Sequence, residues 1–540
     1  MALKYLYAPS GYKAGSSGVA GKIYGVLPNK SESDLSLTSA TSGTRIDSNG
    51  LVEKRESLGS ELAASDFSSG WAGVGSGMTL STGSAIYDKN ATNSSAYIRT
   101  NTYITQDKIY KVVIEVTSFT SAPTNQGLKY YNNSGSVRFN IDRVGVFEFI
   151  FIAKDTQLFA LDSDSGTSLT LGSVSLREVT IDVNVPRIDY SDGGCPTLLT
   201  EPQSTNLIQQ GENISTWSKF YQPDGGQGTG VAPIITGGYS SPEGRPNAHK
   251  VVFNKGIDDT VNDFCLIAKS YNQASTGIYT QSVWMRTESG TTNVLLDFSS
   301  SNTNEVTVTS SWKRFEFTKR VTITGYRTFR IGLRGTKSDN NSASVLIWGA
   351  QLELYPSSTS YIPNYGNYPS GTTRERDKWG YSGDISSSIN PIEGVLEAKF
   401  KGSQNQLYTP WQYSRITLSS DYQNRITIGY GRTYDNTGSL TVKPVVIINR
   451  GQVSSAIWIN NVPSNFDISE YNTYSLKYKS GDSQLKINGE IIENTVLRSL
   501  EWIDAENLTH LSLTTFIDGQ EQAFYGNIKH IKVYDSITDF

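Results

Sequence analysis

Short runs of alternating apolar and polar residues, each cut off by Gly, Ser, Asn or Asp, recur along the whole chain. Side chains two apart share one face of a strand, so such runs specify half-buried strands separated by tight turns. Tyr110, Val112, Ile114 and Val116 alternate with Lys111 and Glu115, and Phe147, Phe149 and Phe151 share a face opposite Glu148. Later runs repeat the pattern: Ile278–Met285, Phe329 with Ile331 and Leu333, Leu396 with Ala398 and Phe400, and Tyr474 with Leu476 and Tyr478. No segment sustains a 3.6-residue apolar period with caps. The expected fold class is all-β, as tandem jelly-roll or β-sandwich domains.

The punctuation divides the 540 residues into six blocks. Residues 1–56, rich in Gly, Ser and Ala, hold too few apolar positions for a core of their own and read as an extended N-terminal arm, ordered only against a partner. Within it, Thr44 to Val52 carries a hairpin signal whose Asn49-Gly50 pair favours a type I′ turn. Residues 57–182 and 205–364 read as two sandwiches, with a linker at 183–204. A second linker, 365–388, leads to a third sandwich at 389–540. The first two sandwiches look like copies of one plan: Leu62 and Trp71 are nine residues apart, as are Ile208 and Trp217, and each block closes on an alternating strand.

Composition narrows the chemistry. With 47 Lys and Arg against 51 Asp and Glu, the formal net charge is −4, so no single-sign field points to nucleic acid. Met1–Ser10 lacks the charged-then-apolar pattern of a signal peptide, and no apolar run is long enough to span a bilayer. Two cysteines, Cys195 and Cys265, make no disulfide framework and read as free thiols of a protein made in a cytoplasm. Three histidines leave little for histidine chemistry. A polysaccharide-cleaving sandwich needs two carboxylates flanking one glycosidic bond, yet Glu501 and Asp504, three apart, point to opposite faces of a strand. Asp162-Ser163-Asp164 opens like a calcium loop, but Ser173 stands where the bidentate acid belongs, so no cofactor is expected beyond a surface Ca²⁺. No catalytic set emerges. Recognition by surface remains: aromatic rings stack on sugar C–H faces while amides and hydroxyls meet sugar hydroxyls. Trp411, Tyr413, Tyr430 and Tyr434 are the candidate glycan-binding residues, with burial in the core as the competing role for each.

Several strings carry a resemblance. Val185-Pro186-Arg187-Ile188-Asp189-Tyr190, Gly193-Gly194-Cys195-Pro196 and Leu199-Thr200-Glu201-Pro202-Gln203-Ser204-Thr205-Asn206-Leu207-Ile208 resemble the bridge of tailed-phage fibre and spike proteins, the head-spike-fibre family. Gly349 to Leu354 and Thr359-Ser360-Tyr361-Ile362-Pro363 resemble the closing strand and exit of a carbohydrate-binding-module-like sandwich. Leu485 to Glu490 and Phe524 to Tyr534 are similar to concanavalin-A/laminin-G-like domains. The arm, with Gly43-Thr44-Arg45-Ile46-Asp47, resembles the start of virion proteins of crAss-like and related phages.

The resemblance implies a structural virion appendage, a head or tail fibre. Its expected partners are capsid or tail proteins through the N-terminal arm, copies of itself in a homotrimer, and a host-surface glycan or receptor. Neither nucleic acid nor membrane insertion is expected. The expected location is the virion, after synthesis in the host cytoplasm. A polysaccharide depolymerase tailspike and a bacterial surface adhesin are the alternatives. Deleting residues 1–56 is expected to leave a folded chain that no longer assembles onto particles.

Overall fold

The computed structural model describes residues 2–538 and 540, apart from 10, 30, 40, 42, 90–95, 122–127, 133–134, 140, 164–165, 223–229, 258–259, 261–262, 274, 299–302, 367–370, 403–413, 422, 435–439, 452, 503–505 and 518–519. The chain is all-β: every pairing between the described strands is antiparallel, and the one α-helix among the described residues is the four-residue Thr495–Arg498. The strands form three sandwiches, each closed over an apolar core from alternating positions.

The first two sandwiches are built on one plan. They share ten strands, from Trp71–Val74 to Thr167–Ile181 and from Ser218–Gln222 to Ser342–Glu353, and Glu56–Glu61 adds an eleventh to the first by pairing with Thr167–Ile181. Ranked by position along the chain, both put strands 1-4-9-6-7 in one sheet and 2-3-10-5-8 in the other. The nine-residue spacing in the sequence has a structural counterpart. Trp71 Nε1 donates to the Ala64 carbonyl at 2.9 Å and Trp217 Nε1 to the Gln210 carbonyl at 3.4 Å, each seven residues back. Both indoles are buried at the mouth of their core, so each donor needs that carbonyl.

The segment 1–56 departs from expectation: it is not an extended arm. Leu3–Tyr7 pairs with the closing strand Gly526–Tyr534 of the third sandwich, Leu3 opposite Tyr534 and Tyr7 opposite Ile531. Tyr5 and Tyr7 are fully buried in that core, joined there by Ile23, Leu35 and Leu37. Tyr12–Lys13, Gly21–Ile23 and Leu35–Thr38 make a small sheet completed by Lys378–Trp379. The apolar residues of this segment are too sparse for a core, but they alternate, and alternation is enough to extend one that exists elsewhere. The hairpin forms too, Arg45–Ile46 against Val52–Glu53, with a different turn. Gly50 has φ +78° while Asn49 is not in the left-handed region, so the loop is a longer one closed by glycine rather than a type I′ pair.

Neither supposed linker is free chain. Arg187–Asp189 and Thr197–Thr200 join the large sheet of the third sandwich, where Thr197–Thr200 pairs with Gly526–Tyr534. Ser204–Asn206 pairs with Thr372–Arg374. The outer edge of Gly526–Tyr534 is thus covered by two borrowed pieces, the bridge over its first half and the N-terminus over its second. Covered edges do not recruit other chains by strand pairing.

Candidate functional site

Of the four aromatic residues picked from the sequence, Tyr430 is the one whose side chain is described, and it is buried. Tyr430 has no exposed surface: its ring packs against Phe400 at 5.2 Å and Tyr474 at 5.6 Å, and its hydroxyl lies 3.3 Å from Asn472 Nδ2. Burial pushes its phenol up to about 12. It faces inward because it alternates in phase with Ile426 and Ile428 on the strand Arg425–Tyr434, both core residues. Trp411 and Tyr413 lie outside the described residues, as does the side chain of Tyr434. Of the calcium-loop string, Asp164 lies outside them as well, while Asp162 faces Lys129 at 3.6 Å. Among the described residues no group of three or more His, Cys, Asp or Glu is placed to hold a metal.

A better aromatic surface lies on the second sandwich. In the sheet ordered Ser218–Gln222, Phe264–Gln273, Gly325–Arg334, Thr292–Asp297 and Thr303–Val308, the inner face is Cys265, Ile267, Val294, Leu296, Phe329, Ile331 and Leu333. The alternate residues point outward. Phe220, opposite Leu266, is 45% exposed, and Tyr326, opposite Asn272, is 69% exposed. Six residues of strand separate their rows, a span of about 20 Å. Between them Ser270, Thr328 and Arg330 present hydroxyls and a guanidinium. Arg330 is held in place by Nε donating to Thr328 Oγ1 at 2.7 Å and by Asp297 at 3.7 Å. Two ring faces flanking a row of directional polar groups suit a sugar chain lying along the sheet. The sequence contained one signal for this: Phe220-Tyr221 are adjacent on a strand, so they cannot both enter one core.

A second site-like feature is a buried charged cluster where the N-terminal segment meets the first two sandwiches. Lys54 Nζ lies 2.7 Å from Glu212 and 3.1 Å from Glu243, with the lysine side chain 3% exposed. Arg245 bridges Glu56 at 2.7 Å and Glu148 at 3.4 Å, and Lys111 lies 2.8 Å from Glu148. Burial raises the Glu212 carboxyl to about 7, with Glu243 adding to the rise and Lys54 opposing it. A raised acid beside a second carboxylate has the form of a glycosidase pair. The ammonium of Lys54 sits between them, however, where a glycosidic bond would have to enter. The geometry is that of an interdomain ion cluster.

A second such cluster joins residues of the bridge and exit strings, Arg187, Glu201 and Ser360, to Arg374 and Asp377. Arg187 donates to Glu201 and Asp377 and, at 2.9 Å, to Ser360 Oγ. Arg374 donates to the same Glu201 and, at 2.5 Å, to the Pro202 carbonyl. Glu201 Oε1 accepts from Ser360 N at 2.7 Å. Burial alone would raise the Glu201 carboxyl, but Arg374 and Arg187 outweigh it and hold the group far below the usual range. These residues join three segments distant in sequence; they are scaffold.

No family model matches the chain, and no curated protein does. The chain is similar to two solved structures at low identity. The N-terminal CBM22-1-CBM22-2 tandem domain of Xyn10C from Paenibacillus barcinonensis aligns at 11% identity and TM-score 0.18, over 57% of this chain and 100% of that one. The ANXUR1 extracellular domain of Arabidopsis thaliana aligns at 9% identity and TM-score 0.16, over 61% of this chain and 100% of that one.

Proposed function

We propose that the chain is a non-catalytic appendage of a tailed-phage virion whose sandwiches bind a host-surface glycan, with the outer sheet face of the second sandwich as the principal contact. The observation carrying the binding role is the pair of exposed rings, Phe220 and Tyr326, flanking Arg330 and Thr328 on one rigid sheet. The virion role rests on the strings of the bridge and exit. Because residues 2–56 are folded into the body, attachment uses a folded surface of the chain in place of a loose strap. A homotrimer would set several platforms side by side, and multivalency turns weak sugar contacts into avidity.

The test is retention of the full chain on immobilised host polysaccharide, with reducing ends assayed in parallel. Phe220→Ala and Tyr326→Ala are each expected to weaken retention by about threefold to tenfold, the worth of one ring contact. Unchanged retention in the double variant would remove the platform, and steady release of reducing ends would replace a binder by a depolymerase. Labelling the protein on purified particles decides the virion role: its absence there would leave the adhesin.

A further inference from the structure

The N-terminal segment, the end of the first sandwich and the exit of the second leave a crevice of about 150 Å³ between them. One wall is three isoleucines that end neighbouring strands: Ile109 pairs with Ile152, and Ile181 with Glu56. Each is only half-buried, unlike the same strands' inward residues. Ile362, Pro363 and the ring of Tyr365 form the facing wall. An engineered protein cavity of about this volume with similar aliphatic walls admits benzene, so one ring fits.

Three polar atoms at this crevice lack partners. Arg374 uses both terminal nitrogens, but its Nε–H has no acceptor; Glu56 Oε2 and the Tyr365 hydroxyl are also unsatisfied. All three side chains are buried: Arg374 is 2% and Tyr365 8% exposed, and the Glu56 side chain 3%. Buried donors and acceptors left unmatched are costly, and an occupant that meets them recovers that cost. The cations, by contrast, are already matched. Arg374 has Glu201, Lys54 has Glu212 and Glu243, and Arg55 has Glu53 at 3.1 Å. An anionic ligand would find no free counter-ion.

We infer that this crevice is a binding site for a small neutral ring bearing hydroxyls, its apolar face on the three isoleucines, one oxygen accepting from Arg374 and from the Tyr365 hydroxyl, and one hydroxyl donating to Glu56. Phenols and 6-deoxy sugars share that chemistry. The site is separate from the sheet platform, and because three parts of the chain form it, an occupant bound there ties them together and raises the unfolding temperature.

Saturation-transfer NMR on the full chain, with phenol and methyl rhamnoside as probes at millimolar concentration, tests this. Saturable transfer to at least one probe is expected, and which one responds identifies the source. Ile152→Trp fills the crevice and should abolish it, and Tyr365→Phe should weaken it by about tenfold. Ile181→Phe serves in its place if Ile152→Trp does not fold. Phe220→Ala with Tyr326→Ala should leave probe binding unchanged, which separates this site from the platform. No saturable transfer to either probe, or transfer that survives in a folded crevice-filled variant, overturns the assignment.

Discussion

The two buried ion clusters of this chain do similar work with opposite electrostatics. Around Arg187 and Arg374, two guanidiniums meet Glu201 and Asp377, and Glu201 is held ionised far below its usual range. Around Lys54, carboxylates outnumber the cations that face them, and Glu212 titrates at about 7. Some atoms there lack partners, among them Glu212 Oε1 and Asn247 Oδ1, and His249 is buried beside them. Burial depresses that imidazole to about 3, so it is neutral near pH 7. The lesson is that a buried ionic junction is rigid when its charges balance and proton-sensitive when they do not.

The largest effect should come from unbalancing the first cluster. Arg187→Leu leaves Glu201 and Asp377 buried with one guanidinium missing, and chemical denaturation should show a loss of about 3–5 kcal/mol. That cost should hold from pH 8 down to about pH 5, because Glu201 is lowered and contributes stability above its unfolded value of 4.5. A loss under about 1 kcal/mol would mean the cluster does not lock the segments together.

Lys54→Met should cost less, about 2 kcal/mol at pH 8, and less still at pH 5, where the raised Glu212 takes up a proton and no longer faces Glu243 ionised. A cost independent of pH would erase the contrast between the clusters. The smallest effect is Glu212→Gln. The folded-state value of Glu212 is raised from 4.5 to about 7, so the stability it contributes is present below 4.5 and lost as pH rises towards 7. Glutamine removes that slope, and the variant should gain in stability on the parent from pH 5 to pH 8. Thermal melts across that range read the difference; a variant less stable at pH 8 would show that the Lys54 contact outweighs burial.

The duplicated sandwiches show a gentler contrast. Lys129 and Asp162 pair across strands six and nine of the first at 3.6 Å, while Asp297 and Arg330 occupy the corresponding strands of the second at 3.7 Å with the signs exchanged. The topology is shared to the strand, yet the outward positions are free to diverge, since nothing in the core reads them. Function in such a pair is therefore expected on outer faces. Of Trp411, Tyr413, Tyr430 and Tyr434, the candidates from the sequence, Tyr430 lies in the core of the third sandwich and the other three side chains lie outside the described residues.

Local periodicity determined the all-β class, the two related sandwiches and the third, because which face a strand buries is written in residues two apart. Strings holding Arg187, Glu201 and Ser360 also stood out before their role was visible; these three, with Arg374 and Asp377, lie far apart in the chain and meet only when folded. Where the segment 1–56 goes was decided by tertiary structure alone. Tyr5 and Tyr7 are too few to make a core, and whether they find one depends on an open edge at Gly526–Tyr534, more than five hundred residues away. Pairing across that separation, like the crevice beside Ile152, is a property of surfaces brought together, and no local pattern encodes it.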